Sequence, residues 1–450
     1  MYSKGDFIVD LQNEEKLFEL QEEMIYRGEK GLYIGRAYDL KKKRQCYLKF
    51  TDDTGKNLAN LKREEKFCFF YPFIEHIYES FQGFSPDHRK IFGINAEYVQ
   101  GENLYQARLK LKDEVRKGKI TEDEEEEIIF RQMMQFLYGM EYYMEYATPR
   151  FLHRDLKPEN IMIQKTETEK KGGPEGSGDI KIIDFDFAHI SGSRQTVNSQ
   201  ASLGYTRGYV SPQGLRKATL DGKSPDAIDE IYSAGRVFCF WLNVSNYFQE
   251  EELGKIEEGK QLSGKESYLR NEELGYSLIA DRFVSRYRDP ATGTFNRKYA
   301  ELIRIIKRMC CNPAKEVPYS SPTQIIRDMQ KFLLEYYGNN VELYEKQMGL
   351  QKIPLFQERM KRDNGKSVTI YHKILRPGEG KKGRALHEYA MRDIRIDGKM
   401  EMVLYNIDGK IYYIPMPGIQ PLCGNNDKEY RIYNKDIFVN TEGVQIQFFM

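Results

Sequence analysis

Ten consecutive residues, Phe151-Leu152-His153-Arg154-Asp155-Leu156-Lys157-Pro158-Glu159-Asn160, restrict this chain more than any other feature of it. They set a carboxylate, an ammonium and a carboxamide on one short loop, at positions 155, 157 and 160, directly after a long helical pattern. In that pattern Ile129, Met133, Leu137, Met140 and Met144 recur at spacings of three and four, the signature of one apolar helix face. Phosphoryl transfer needs the set that the loop carries. A carboxylate accepts the proton of an attacking hydroxyl, a cation steadies the γ-phosphate, and an amide oxygen holds a metal ion. A turn that is merely polar rarely matches a string of this length.

With 450 residues the chain exceeds one typical domain, and two or three are expected. Its charges balance to a net +1, which predicts neither a nucleic-acid partner nor a strongly acidic one. The acidic run from Glu122 to Glu127 follows Thr121 and reads as the solvated first turn of a helix, where negative charge suits the macrodipole. Lys41 to Arg44 reads as a hairpin tip. The cysteines (46, 68, 239, 310, 311 and 423) show no CxxC spacing and no metal-ligand cluster, so reduced core thiols are expected. Met1-Tyr2-Ser3-Lys4 carries no signal-peptide pattern, and apolar stretches such as Phe67 to Ile74 and Val237 to Val244 are too short to span a membrane. A cytoplasmic protein is the expectation, while oligomeric state is not legible.

Strand patterns cover Phe18 to Tyr26, Leu32 to Asp39 and Gln45 to Phe50. A helix pattern follows over Asn57 to Phe69, then strands near Ile74 to Phe81 and Lys90 to Val99, giving a small sheet with one helix. Helical patterns dominate from Thr121 to about Tyr337, and the Gly-, Lys- and Glu-rich stretch from Lys165 to Gly178 reads as an insertion in a hairpin. Arg395-Ile396-Asp397-Gly398-Lys399 and Asn406-Ile407-Asp408-Gly409-Lys410 repeat at an interval of eleven. Asp-Gly between alternating residues signals a hairpin, so 392–415 is predicted to be a three-stranded meander. A further strand pair is predicted around Glu442-Gly443. The class is α+β. The expected division is a main domain over 1–337 (β-rich over about 15–100, helical over 101–337), a helical connector over 338–366 and a β-rich domain over 367–450.

Other segments stand in a telling order: Gly28 and Gly31, then Lys49, then Ala96-Glu97-Tyr98-Val99, then Ile182-Ile183-Asp184-Phe185, and finally Tyr209-Val210-Ser211-Pro212. With the 151–160 loop they make residues 15–337 resemble the eukaryotic-like protein kinases, and Lys157-Pro158-Glu159 is similar to the serine/threonine branch. The resemblance implies a bilobal fold, ATP and Mg²⁺ as cofactors, and transfer to Ser or Thr of a protein substrate, with autophosphorylation. It implies Asp155 as general base, Lys157 at the γ-phosphate, and Asn160 and Asp184 as metal ligands. Gly28 and Gly31 would cover the phosphates, with Tyr26 at the first glycine position. Lys49 would bind the α- and β-phosphates, held by an acid for which Glu64 is preferred and Glu65 is a close rival. Glu97 and Val99 would meet the adenine, Asn103 the ribose, and Met162 belongs to the same nucleotide set; Ala96 would be the gatekeeper. Arg154 would pair with a phosphate on the activation segment, at Ser202, four residues before Thr206, with Ser199, Thr196 and Ser193 as alternatives.

The chain also departs from that pattern. Asp186 stands where a glycine is usual, and Tyr47 and Tyr33 where small residues roof the adenine. Glu230 replaces an aspartate that ties down the catalytic loop, a task that Asp229 is also placed to take. Gln213 replaces a glutamate, and Asn312-Pro313-Ala314-Lys315-Glu316-Val317-Pro318 lacks its arginine partner. Losing one half of a buried pair costs roughly 3–5 kcal/mol, but losing both can be neutral. Tyr26, Tyr47 and Asp186 frame the alternative function, a catalytically silent kinase-like scaffold or regulator. A related small-molecule phosphotransferase is disfavoured, because those enzymes lack Lys157 and the closing Pro212 segment.

Overall fold

Period-two alternation builds the first sheet. Its strands are β1 (Phe7–Asp10), β2 (Lys16–Leu20), β3 (Ile25–Arg27), β4 (Leu32–Asp39), β5 (Arg44–Thr51), β6 (Ile77–Phe84) and β7 (Lys90–Glu97). The computed structural model of the chain describes residues 2–27, 31–52, 55–67, 73–147, 150–165, 173–190, 209–219, 225–243, 297–340 and 343, then the strands named below between 358 and 448 with residues 432 and 436. The sheet order is β2-β1-β6-β7-β5-β4-β3, and β2 also pairs with β4, so the sheet curls back on itself. Ile8, Phe18, Leu20, Ala37, Cys46, Leu48 and Phe50 fill its interior.

Two expectations for this region change. The single strand expected over Phe18 to Tyr26 is two: Gln21 N–H still donates to Arg36 O, but Arg36 N–H returns to the Glu22 side chain, at Oε1, in place of a backbone carbonyl. The sheet also begins earlier than residue 15. Its extra strand, β1, is four residues long and too short to show a period.

Helix α1 (Lys56–Glu64) runs into a 3₁₀ turn, Glu65–Phe67; its expected end at Phe69 lies outside the described residues. After β8 (Gly101–Asn103) come α2 (Leu104–Arg116) and α3 (Glu122–Glu141). Thr121 and Glu124 close a full capping box on α3, which accounts for the acidic run. Its stripe residues Met133, Leu137 and Met140 are fully buried. A π-turn, Tyr142–Tyr146, delivers the chain to β9 (Phe151–Leu152). Strand β10 (Ile161–Gln164) lies between β8 and β11 (Ile180–Ile182), and β12 (His189–Ile190) pairs with β9. Helices α4 (Pro212–Thr219), α5 (Ala227–Asn243), α6 (Ala300–Met309) and α7 (Pro322–Tyr336) follow.

Contacts divide the chain into one unit of Met1–Glu125 with Gln132–Ile325 and a second of Glu126–Arg131 with Ile326–Met450. In the second unit Phe130 meets Phe332 and Tyr336 edge-on, at 5.4 and 5.1 Å. That unit also holds β13 (Glu358–Lys361), β14 (Ser367–Tyr371), β15 (Met391–Ile396), β16 (Lys399–Ile407), β17 (Lys410–Pro415), β18 (Gln420–Cys423), β19 (Ile437–Val439) and β20 (Gln445–Phe448). Strands β15, β16 and β17 form an antiparallel meander over the expected range; Ile396 pairs with Lys399 and Ile407 with Lys410, leaving two-residue links. The other five form a second sheet, in which β14 and β20 are parallel.

Cys46, Cys239, Cys310 and Cys311 are buried free thiols. Burial pushes Cys46 and Cys239 up to about 12 and Cys310 well above the usual thiol range. Since the thiolate is the nucleophile, iodoacetamide at about pH 8 is expected to leave these three unmodified in the folded chain. Mass spectrometry of native and urea-unfolded samples checks this; rapid native labelling of Cys46 would contradict the packing.

Candidate active site

One cavity, about 610 Å³, gathers most of the chemically active side chains, and it lies wholly within the first unit. Leu32, Ile34, Tyr47 and Lys49 line it from β4 and β5, and Glu97, Tyr98 and Val99 from the end of β7. Lys157, Asn160, Met162, Asp184 and Asp186 line the remainder. A smaller cleft of about 330 Å³ beside α2 holds Glu102, Lys110 and Glu175, whose charges are paired with one another.

Lys49 is the electrostatic centre. Its Nζ donates to Glu64 Oε1 at 2.7 Å, Asp184 Oδ1 at 2.9 Å and Asp186 Oδ1 at 3.3 Å. Glu64 comes from the last turn of α1, whereas its neighbour Glu65 accepts a hydrogen bond from Ser80 Oγ. Burial works against the ammonium, but Asp184, Asp186 and Glu64 together hold Lys49 well above its ordinary value. Burial likewise opposes ionisation of Asp184, and Lys49 outweighs it, so that carboxyl sits below the usual range. For Glu64 burial wins and pushes the carboxyl well up, with Asp186 and Asp184 adding to it. One cation thus faces three carboxylates.

The 151–160 loop is held from below by Glu230 on α5. Glu230 Oε1 accepts His153 N–H at 2.7 Å and the Tyr143 hydroxyl at 2.8 Å, and Oε2 accepts Arg154 N–H at 3.0 Å. Asp229 faces elsewhere, bonding Ser211 Oγ and Lys217 Nζ. These anchors hold Arg154 at φ +69°, a conformation that residues with a Cβ seldom adopt unaided. The His153 ring accepts Asp155 N–H on Nδ1 at 3.3 Å, which assigns the proton to Nε2, 2.9 Å from Ile183 O. Lys157 Nζ then donates to Asp155 Oδ2 at 2.6 Å, and Asn160 Nδ2 to the same oxygen at 3.1 Å. The Asn160 nitrogen is thereby committed, leaving Oδ1 as its atom for a cation. Phe185 packs against Phe151 at 5.6 Å, His153 at 5.1 Å and Phe67 at 6.2 Å, tying the Asp184 segment to the loop and to the turn after α1.

Among the other expected residues, Gly31 lies at φ +56°, where glycine is favoured, and its carbonyl accepts the Thr51 hydroxyl at 2.7 Å. Gly28, Ser202 and Thr206 lie outside the described residues. Asn103 uses Oδ1 to accept Gln106 N–H at 3.0 Å and caps α2. Tyr33 is a correction. It stacks on Phe50 at 5.2 Å and meets Tyr2 at 4.6 Å, because β4 turns Leu32 and Ile34 toward the cavity and residue 33 to the opposite face. Tyr47 does line the cavity.

Sequence reasoning missed Arg27 and Glu75, which both line the cavity. Arg27 precedes Gly28 directly, a basic residue beside a glycine-rich turn that spacing to the glycines could have flagged. Glu75 sits in an apolar run, Phe73-Ile74-Glu75-His76-Ile77, and carried only that anomaly as a signal. Burial raises its carboxyl to about 7.

For a metal, the donor set is hard oxygen: Glu64, Asp184 and Asp186 offer carboxylate oxygens within 4.8 Å of one another, with Asn160 lining the same cavity. That set fits Mg²⁺ better than a soft ion.

Residues 50–318 match the family model for the protein kinase domain, a match that begins one residue after Lys49. The CBL-interacting serine/threonine-protein kinase 20 of Arabidopsis thaliana is 31% identical over 158 residues, 35% of this chain and 29% of that protein. Serine/threonine-protein kinase 36 of Mus musculus is 31% identical over 207 residues, 44% of this chain and 13% of that protein. The DNA damage response protein kinase DUN1 of Saccharomyces cerevisiae is 33% identical over 136 residues, 28% of this chain and 24% of that protein. The matched regions span less than a third of each of these relatives.

Proposed function

The chain belongs to the protein kinase domain family, and from that premise we propose that it transfers the γ-phosphoryl group of ATP, with Mg²⁺, to Ser or Thr hydroxyls of protein substrates and of itself. The observation that carries the reading is the pairing of two sets through residues that line the cavity, Lys49, Asp184 and Lys157: Lys49 is joined to Glu64 and Asp184 at 2.7 and 2.9 Å, and Lys157 to Asp155 at 2.6 Å. The first set suits triphosphate and metal, the second an attacking hydroxyl.

In this reading Val99 and Glu97 meet the adenine through their backbone, Met162 lies against the base, and Lys49 binds the α- and β-phosphates. Asp184 and Asn160 Oδ1 would hold Mg²⁺, which supplies charge neutralisation at the phosphates when bound. Asp155 orients the substrate hydroxyl and takes its proton, and Lys157 steadies the γ-phosphate. The bilobal division of 1–337, the separate β-rich domain over 367–450 and a cytoplasmic location belong to the same proposal. Among the described residues no helix is long and apolar enough to cross a membrane.

Regulation follows from charge. Burial lowers the Arg154 guanidinium, with Glu230 opposing and Arg63 adding to it, and burial, Arg154 and Arg63 all lower the His189 imidazole, so two guanidinium groups, Arg154 and Arg63, act beside the loop. A phosphate carrying nearly two negative charges suits that place, and Ser202 is the proposed carrier. Incubation with Mg·ATP followed by phosphosite mapping tests both parts. Phosphate is expected on Ser or Thr, Ser202 included, and Ser202→Ala should lose transfer by about 10- to 100-fold, the worth of one charge-assisted hydrogen bond or two. Full activity of that variant with no phosphate between His189 and Thr206 would remove the switch. The scaffold reading rests on Tyr47 lining the cavity and Asp186 engaging Lys49. Absence of both Mg·ATP binding and transfer would favour it.

A further inference from the structure

Beside the Asp184 segment the chain from Phe73 to Glu75 runs parallel to it, with a bridge between Ile74 and Ile182. Ile182 N–H donates to Phe73 O at 2.9 Å, Glu75 N–H to Ile182 O at 2.8 Å, and Ile183 N–H to Asn160 O at 2.9 Å. The next amide, that of Asp184, goes to a side chain instead: Glu75 Oε2 accepts it at 3.1 Å. Glu75 is 4% exposed and lines the same cavity as Lys49, whose charge acts on it. Asp184 meanwhile has φ +68°, a left-handed backbone that is uncommon outside glycine, though aspartate adopts it more readily than most residues.

These facts fit together in one way. The backbone bond from Glu75 N–H to Ile182 O fixes the base of the Glu75 side chain against the very strand whose end it caps. Its carboxylate then takes the Asp184 amide, the next one after the ladder. An aliphatic side chain would fill the space but accept nothing, leaving a part-buried N–H without this partner, while a buried carboxylate in an apolar run is itself unfavourable unless bonded.

We propose that Glu75 is a positioning residue for Asp184, its carboxylate holding the Asp184 backbone in the left-handed turn that directs the Asp184 side chain to Lys49 and to a nucleotide-bound cation. The inference rests on the proposed function and names what in this chain sets the metal ligand's geometry.

Full-length Glu75→Met and Glu75→Gln test it, by titration calorimetry with ADP in MgCl₂ and in EDTA, and by melting temperature. Methionine matches the length and removes the acceptor and the charge; glutamine keeps an oxygen that can accept the amide. Loss of one hydrogen bond to a charged acceptor corresponds to about a tenfold effect or more. The Mg²⁺-dependent gain in ADP affinity, the ratio of affinity in MgCl₂ to that in EDTA, is therefore expected to fall about tenfold in E75M and to recover in E75Q to within about threefold of wild type. If E75M does not fold, Glu75→Leu takes its place. An apolar variant that keeps the full Mg²⁺ dependence, or an E75Q as defective as the apolar variant, overturns the inference and leaves the proposed function standing. Wild-type protein whose ADP affinity is indifferent to Mg²⁺ overturns the proposed function, and the inference falls with it.

Discussion

Asp155→Asn is expected to cut phosphoryl transfer by about 10²- to 10⁴-fold, the range for loss of a positioned general base, while nucleotide affinity stays close to wild type. The change is isosteric, so the fold should tolerate it. Asp155 is 5% exposed, and its backbone is held through His153 and Glu230 whatever the side chain. Lys157 and Asn160 both donate to Asp155 Oδ2, and a carboxamide oxygen can still accept one of those bonds. What it cannot do is take a proton from a hydroxyl near neutral pH. Single-turnover kinetics with a peptide substrate, beside calorimetric ATP binding, separate the two effects. A rate near wild type would remove Asp155 from its assigned role, and a loss of binding equal to the loss of rate would make it a structural residue instead.

Asp184→Ala should act on the other half of the cavity and abolish the Mg²⁺ dependence of nucleotide binding. Asp184 is the carboxyl that Lys49 holds below its usual range, so it offers a charged oxygen at any physiological pH. Lys49→Met is the informative contrast. It removes an ammonium that is 5% exposed and faces Glu64, Asp184 and Asp186. Removing one partner of a buried ion pair costs roughly 3–5 kcal/mol, so a clear drop in melting temperature is expected. Transfer should fall further than binding, since Mg²⁺ can still be held by Asp184. Calorimetry with and without Mg²⁺, and thermal melts of both variants, check these outcomes. Unchanged Mg²⁺ dependence in the aspartate variant would count against the assignment of Asp184.

Much of the site was legible because its parts are local. Asp155, Lys157 and Asn160 fall within six residues, and chain connectivity alone keeps them together. Thr121 with Glu124, three residues on, announced the start of α3, and the two Asp-Gly pairs announced the meander. Lys49 and Asp184, 135 residues apart, were both expected at the phosphates, one on the α- and β-phosphates and the other on the metal, but their direct contact was not. That expectation came from resemblance to a family and not from any pattern within either segment.

Elsewhere the chain offered two neighbours for one task, and only packing chose between them. Glu64 and Glu65 are adjacent, as are Asp229 and Glu230. On a helix one residue is a rotation of about 100°, so one of each pair points to the site and the other away. Tertiary contacts set that rotation: Glu64 reaches Lys49 while Glu65 bonds Ser80, and Glu230 takes the loop amides while Asp229 turns to Ser211. On a strand one residue is a change of face, which is why Tyr33 left the cavity to Leu32 and Ile34. Glu75 is the extreme case, a carboxylate in an apolar run whose partner amide lies 109 residues away. Which groups this chain can bring to phosphate chemistry was written in its order of residues; which face each one shows was decided by the rotation of helices and the register of strands, and those depend on everything packed behind them.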